Sequence, residues 1–351
     1  MKKELLLSLA VILLFSCGNQ SKENLTETTT KTAKDTVINK YAELQASAKS
    51  IFGILPKEAI NENNPITNEK VVLGKMLYFD KRLSKDNTQS CNTCHNLDTY
   101  GVDNSPTSKG NNGGFGGRNS PTTLNAALHT TQFWDGREPD VEAQAGGPIL
   151  NPVEMEMPSE EAVIKRISNI KEYTDLFAKA FPEEKDPITY NNLKKAIGVF
   201  ERKLITPSKF DNFIAGDINA LTNEEKDGLQ TFIDAGCAAC HSGNVLGGQM
   251  FQKFGIFDDY WKYTHSEKVD MGKFDLTKKE GDKYVFKVPS LRNIEKTYPY
   301  FHDGSVTDLK EAVKIMAKTE SNKDLTDTEL DKIVLFLKTL TADVKEEYKQ
   351  H

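Results

Sequence analysis

The sequence contains the pentapeptide Cys-x-x-Cys-His twice, at residues 91–95 and 237–241. Two thiols at this spacing can bond to the two vinyl groups of one haem, and the histidine that follows is placed to ligate the iron. A CxxC pair can also bind zinc, but a zinc site needs two pairs close together and these lie far apart in the chain. The motifs therefore predict two covalent haem c groups. Their anchors and proximal iron ligands are Cys91, Cys94 and His95 for the first haem, and Cys237, Cys240 and His241 for the second.

Two haems constrain the fold because each porphyrin replaces much of the apolar core of a small domain. The 351 residues are 38% hydrophobic and 27% charged, which suits two domains with real cores. We expect a mainly α fold, with two cytochrome c-like haem domains, long loops and little β structure. The sequence predicts an N-terminal haem domain at residues 41–205 and a C-terminal haem domain at residues 206–342.

Local patterns predict where helices begin and where long loops lie. Thr222 with Glu225, and Thr326 with Glu329, are typical of capping boxes that open helices. Stretches rich in Gly, Asn and Pro predict long loops, at residues 98–121, 145–158 and 242–275.

The N-terminus has the pattern of a bacterial export signal. Two lysines precede a short apolar run, and Leu14–Cys17 resembles a lipobox. The alternative is an ordinary secretory leader with a chance cysteine. We favour a lipoprotein signal peptide at residues 1–16, followed by a flexible polar tether at residues 17–40.

Charge and leader together predict the location and exclude some partners. The net charge of −6 argues against a nucleic-acid partner, which needs basic patches. Contact with a membrane is expected only through a lipid on Cys17. We expect a periplasmic protein, lipid-anchored at the outer rather than the inner membrane.

Six further stretches resemble one protein family. Over residues 55–342 the chain resembles the bacterial di-haem cytochrome c peroxidases, whose cousins are the MauG enzymes that mature methylamine dehydrogenase. The matching stretches are Leu77–Ser84, Arg118–Pro121, Gln132–Arg137, Phe286–Pro289, Leu291–Asn293 and Pro299–Gly304.

The resemblance implies different roles for the two haems. Peroxide reacts at the N-terminal haem, with Gln144 and Glu154 on its distal side. A carboxyl can move a proton between the peroxide oxygens, and an amide can orient the peroxide. Electrons enter at the C-terminal haem, whose sixth ligand corresponds to Met316, where MauG enzymes carry Tyr. Trp134 occupies the family position of an electron relay between the haems.

The resemblance also implies a cation and partners. A Ca²⁺ ion is expected on the side chain of Asn119 and the backbone carbonyls of Thr297 and Pro299. The expected reaction is reduction of H2O2 to water, with a small c-type cytochrome or cupredoxin as donor. A homodimer is also expected. Two alternatives stay open: a di-haem electron carrier without peroxide turnover, and a MauG-like enzyme that oxidises a partner protein.

The chain departs from the family in the loop after the first motif. Many members place a histidine there that blocks the distal side of the N-terminal haem until the other haem is reduced. Counting back from Trp134, Asn111 occupies this position, and residues 98–121 contain no histidine. His129 matches no family ligand, and His265, in the loop after the second motif, is unexplained. An amide is a poor iron ligand, so we expect this haem to be open, or to bind water, when oxidised.

This departure predicts the spectrum of the fully oxidised protein. One haem should give a high-spin ferric signal, and peroxide turnover should not need prior reduction. Electron paramagnetic resonance of the oxidised protein measures this directly. A purely low-spin, bis-histidine signal from the N-terminal haem would contradict the prediction.

Overall fold

The computed structural model describes residues 40–266 and 268–349. The chain divides into two compact units, Met1–Glu43 and Leu44–His351. In the first unit residues 40–43 are described, and they are helical. The predicted signal peptide, most of the tether and Cys17 lie outside the described residues. Across the described ranges, no helix combines the length and apolar character needed to span a membrane.

Helices dominate the second unit, which confirms the prediction of a mainly α fold with two cytochrome c-type domains. The α-helices are α1 (residues 44–52), α2 (Asn68–Phe79), α3 (Cys91–Cys94), α4 (Val141–Leu150), α5 (Glu160–Ser168), α6 (Lys171–Ala180), α7 (Tyr190–Glu201), α8 (Lys209–Ala215), α9 (Asn223–Asp234), α10 (Phe274–Thr277), α11 (Leu309–Ser321) and α12 (Asp327–Lys338). Short 3-10 turns lie at Lys81–Leu83, Leu97–Thr99, Ala126–Leu128, Cys237–Ala239, Tyr260–Lys262, Glu280–Asp282 and Glu346–Tyr348.

The two named strands form one small antiparallel ribbon. Strand β1 (Phe251–Lys253) pairs with β2 (Val285–Lys287), and Phe251 lies opposite Lys287. The domain boundary near residue 205 stays a prediction. Residues 205–207 fall in the connection between α7 and α8.

In the first half, α2 crosses α7 at a glycine. Thr67 caps α2 by accepting from the N–H of Lys70, and Thr189 caps α7 in the same way. A Cβ on Gly74 would lie 2.0 Å from the carbonyl oxygen of Ala196, so no side chain fits there. The close crossing brings the apolar faces of both helices into one core. That core includes Leu73, Leu77, Tyr78, Leu193, Ala196, Ile197 and Phe200.

In the second half, α9 crosses α12 in the same manner. Both helices begin with the predicted capping boxes: the carboxylates of Glu225 and Glu329 accept from the N–H groups of Thr222 and Thr326. A Cβ on Gly228 would lie 2.2 Å from the carbonyl oxygen of Lys332. Each half therefore contains a helix pair that crosses closely at a glycine.

The predicted loop at residues 145–158 is wrong at its start, because α4 continues to Leu150. The side chain of Asp140 caps this helix by accepting from the N–H of Ala143. The hydroxyl of Tyr190 on α7 donates to the carbonyl of Gly146 at 2.6 Å. Packing on α7 thus keeps a Gly-Gly-Pro segment helical, against its intrinsic propensity.

The glycine crossing generates a prediction about stability. Gly74→Ala should lower the free energy of unfolding by about 1–3 kcal/mol, because the added methyl group forces α2 and α7 apart. Gly281→Ala is the matched control, since a Cβ at Gly281 meets nothing within 4 Å. Denaturant unfolding of the haem-loaded protein measures both. Equal midpoints for the two variants would contradict the proposed crossing.

Candidate active site

The first haem-attachment motif forms a single helical turn, α3, held by α2. Ser90 and Thr93 make a capping box at its start, and His95 ends the turn. The hydroxyl of Tyr78, from α2, donates to the carbonyl of His95 at 2.6 Å. The crossing of α2 and α7 therefore fixes where the thiols and the imidazole lie.

Burial favours the neutral forms of the ionisable groups of this motif. It raises the pKa of the Cys94 thiol to about 11 and raises that of Cys91 further. It lowers the pKa of His95. A neutral imidazole is the form that ligates a metal, and Nδ1 of His95 is buried without a hydrogen-bond partner among the described residues.

The second motif follows directly from α9. Gly236 has a φ of +89°, which turns the chain at the end of α9 into the 3-10 turn Cys237–Ala239. His241 is buried, and its Nδ1 lies 3.2 Å from the carbonyl oxygen of Leu246. An N–H at Nδ1 leaves Nε2 as the free base, the arrangement that suits an iron ligand. Burial lowers the pKa of His241 to about 4.

A cavity of about 1100 Å³ joins several of the predicted site residues. Its wall contains both thiols of the first motif together with His95, so the donor set fits a covalently attached haem. The same wall contains the residues expected from the resemblance for the distal side and the relay, Gln144, Glu154 and Trp134. The predicted first-haem residues thus face one space.

The two distal candidates come from α4 and the loop behind it. Gln144 lies on α4, and Glu154 lies in the loop that follows. Burial raises the pKa of Glu154, although Arg137 and a hydrogen bond from Asn151 act in the opposite direction. The Asn151 amide donates to Oε1 of Glu154 at 2.9 Å, so this carboxyl is oriented. Pro148 also lines the cavity.

Trp134 is held between segments from both halves of the chain. Its indole N–H donates to the carbonyl of Asn119 at 2.9 Å, and its own carbonyl accepts from the N–H of Lys287 in β2. The rings of Trp134 and His302 lie 6.3 Å apart, centroid to centroid. His302 in turn stacks on Phe286 at 4.3 Å. The indole therefore contacts structure that follows each haem motif.

Met316, the predicted sixth ligand of the second haem, does not line this cavity. Met316 is half-buried in α11 beside the core residue Ile315. Met316, Cys237, Cys240 and His241 lie outside the lining of the cavity described above. The role of Met316 stays a prediction.

The predicted calcium ligands lie on segments that contact one loop. The Asn119 amide donates to the carbonyl of Ser105 at 2.9 Å. The Asn104 amide donates to the carbonyls of Lys296 and Tyr298, at 3.1 and 2.8 Å. These carbonyls flank Thr297 and precede Pro299. Within residues 40–266 and 268–349 no cluster of three or more His, Cys, Asp or Glu could hold a metal, and the predicted site instead uses amide and carbonyl oxygens.

The side chain and the backbone N–H of Asn111 form hydrogen bonds with neighbouring residues. Its Oδ1 accepts from the N–H of Asp86 and the hydroxyl of Thr88, and its Nδ2 donates to Glu156. Its backbone N–H donates to the carbonyl of Glu154 at 2.7 Å. Asn111 is not part of the cavity wall, whereas its neighbour Gly110 is.

Among the ionisable residues of the cavity wall, Glu201, Lys287 and His129 had no role assigned from the sequence. Burial, with Glu142 nearby, raises the pKa of Glu201 to about 8. A signal existed for Glu201, because it directly follows the apolar residues Val199 and Phe200 in the sequence. A signal also existed for Lys287, because it lies within Phe286–Pro289, one of the stretches that resemble the family. His129 had none.

Comparison with known proteins agrees with this geometry. Residues 68–219 match the family model described as di-haem cytochrome c peroxidase, and residues 225–341 match the cytochrome c model. The cytochrome c551 peroxidase of Nitrosomonas europaea is 44% identical, over 85% of this chain and 87% of that protein. The cytochrome c551 peroxidase of Pseudomonas aeruginosa is 43% identical, over 85% of this chain and 86% of that protein.

More distant similarities extend to the MauG group. The methylamine utilization protein MauG of Methylorubrum extorquens is 34% identical, over 80% of each chain. The crystal structure of a MauG-like protein associated with microbial copper homeostasis superposes with a TM-score of 0.76 at 29% identity, over 84% of this chain and 96% of that one. With two haem motifs and identities of 43–44% to two cytochrome c peroxidases over most of its length, the chain belongs to the di-haem cytochrome c peroxidase family.

Proposed function

We propose that this protein reduces hydrogen peroxide to two waters, consuming two electrons and two protons. Electrons come one at a time from a small c-type cytochrome or cupredoxin. The observation that carries the proposal is the common cavity lined by His95, Gln144 and Glu154. Its relatives named cytochrome c peroxidase support the same activity.

Glu154 is suited to move a proton between the two peroxide oxygens. Haem, when bound at His95, supplies the redox centre and the electrons for cleavage of the O–O bond. Glu154 accepts a proton from one peroxide oxygen and donates it to the other. The oxygen that receives the proton leaves as water. Its raised pKa brings the carboxyl closer to the working pH, which favours proton transfer in both directions.

Gln144 and Asn151 complete the polar side of the cavity. The amide of Gln144 can donate to a peroxide oxygen and orient it. Asn151 keeps the carboxyl of Glu154 in place through its 2.9 Å hydrogen bond. Neither amide titrates, so both hold their roles at any pH at which the protein is folded.

Electron entry is assigned to the second haem. His241 and Met316 are its proposed ligands, and a thioether ligand favours ferrous iron, which suits acceptance of electrons. Trp134 is the proposed relay towards His95. Its contacts with Asn119 on one side and with Lys287 and His302 on the other support this role.

We propose that the enzyme is active without prior reduction. Asn111 stands where many family members carry the blocking histidine, and its amide is engaged by Asp86, Thr88 and Glu156. No iron ligand is therefore expected from this position.

A bound calcium ion, a periplasmic location and a dimeric state are also proposed for this protein. A Ca²⁺ ion at Asn119, Thr297 and Pro299 would tie together segments that already meet at Asn104 and Ser105. The protein is proposed to be periplasmic, anchored by a lipid on Cys17 at the outer membrane, and homodimeric.

Two other functions make different predictions. A plain di-haem carrier would have two six-coordinate haems and no peroxide turnover. A MauG-like enzyme would oxidise a partner protein, but Met316 replaces the Tyr of that group. The cavity with Glu154 favours the peroxidase over the carrier.

The role of Glu154 can be tested by substitution. Glu154→Gln should lower kcat for peroxide reduction at least about a hundredfold, because the amide cannot transfer the proton. Steady-state oxidation of reduced cytochrome c by H2O2 measures the rate.

Glu156→Gln is the matched control. Glu156 lies two residues away, and its carboxylate pairs with Lys85 at 2.7 Å instead of lining the cavity. The Glu156→Gln variant should retain the wild-type rate of peroxide reduction. Equal rates for Glu154→Gln and wild type would remove Glu154 as the acid/base, and absence of turnover in wild type would remove the peroxidase proposal.

The pH dependence provides an independent test. Glu154 must be ionised to accept the first proton, so kcat/KM should fall as the pH decreases through its pKa. Burial raises this pKa, so the fall should occur above the usual range of a Glu carboxyl. The pH profile of kcat/KM should lose this acidic limb in Glu154→Gln. An unchanged limb in the variant would assign the titration to another group.

A further inference from the structure

One cation in the cavity wall is buried without a carboxylate partner. Lys287, at the end of β2, is 5% exposed. Its ammonium donates to the carbonyl of Thr131 at 2.8 Å and lies 3.3 Å from Nδ1 of His129. Both acceptors are neutral. A buried charge needs an opposite charge, and the described residues provide none in direct contact with Lys287.

The other cations of this wall differ from Lys287. They are either exposed to water or already paired with carboxylates. Two are exposed, Lys109 and Lys268. Two are paired, Arg118 with Asp135 and Asp270 and Arg137 with Asp135. Asp135, whose charge acts on Lys287 from a distance, is thus shared by two arginines.

The missing anion has a natural source. Every haem c carries two propionate carboxylates, and an ionised carboxylate only accepts hydrogen bonds. Lys287 has three N–H donors, of which two have the acceptors named above. Lys287 lines the same cavity as Cys91, Cys94 and His95, which belong to the first haem site.

We propose that Lys287 binds a propionate of the haem attached at Cys91 and Cys94. His129 acts as a positioning residue for this contact. The inference rests on the haem assignment in the proposed function, but not on peroxide turnover. Burial lowers the pKa of Lys287 to about 8, and a carboxylate partner acts in the opposite direction.

The surroundings of His129 suit it to this task. Because Nδ1 accepts from Lys287, the ring is neutral with its proton on Nε2. Burial and the nearby ammonium lower the pKa of His129 well below its usual value, so the ring does not become a competing cation. The ring packs on Gly248, where a Cβ would lie 2.4 Å from Cδ2. The loop after the second haem motif thereby fixes the ring that holds Lys287.

The test compares charge variants in the haem-loaded protein. Lys287→Met removes a positive charge near the first haem and should shift its ferric–ferrous equilibrium about tenfold towards ferric, which is about 59 mV for one electron. Potentiometric titration of each haem measures the shift. The propionate bending mode in the resonance Raman spectrum should move with it. Lys287→Arg should keep both values near wild type.

Lys268→Met is the matched control, because it removes the same charge from an exposed position in the same wall. It should change neither readout. Lys287→Gln repeats the test if Lys287→Met does not fold. An unchanged potential and Raman mode in the neutral variants would overturn the proposal, and so would a shift confined to the haem at Cys237. Both measurements are independent of turnover, so a failure of the peroxidase proposal is seen separately.

Discussion

Two helix crossings, each so close that only glycine fits at the contact, support the rest of this structure. Gly74 meets the backbone of Ala196, and Gly228 meets that of Lys332. In the first half, α2 carries Tyr78 one turn beyond the crossing, and its hydroxyl holds the carbonyl of His95. In the second half, α9 ends just before Cys237. Each haem-attachment motif is thus fixed relative to a rigid helix pair.

Burial in the cavity beside the first motif shifts the pKa values of acids and bases in opposite directions. Burial disfavours charge, so it raises the pKa of Glu154 and Glu201 and lowers that of His95 and Lys287. The raised pKa of the proposed proton-transfer carboxyl and the neutral form of the proposed iron ligand follow from the same cause.

The halves of the chain are joined by neutral hydrogen bonds as well as by Trp134. The hydroxyl oxygen of Thr206 accepts from the amides of Asn125 and Asn293, at 2.8 and 2.9 Å, and all three residues are buried. Neutral partners avoid the desolvation penalty of a buried ion pair. This junction lies at the predicted domain boundary and connects the segments that contribute Trp134 and Lys287.

The sequence by itself determined the haem chemistry, the mainly α fold and the capping boxes at Thr222 and Thr326. These depend on residues close together in the chain, so spacing alone reveals them. Resemblance to the family added Gln144 and Glu154. Only the tertiary structure decided that α4 continues through its Gly-Gly-Pro segment, that Glu201 faces the cavity, and that Lys287 is buried beside His129 without a carboxylate. Helix persistence, burial and ion pairing there depend on contacts between residues distant in sequence, and no local pattern records them.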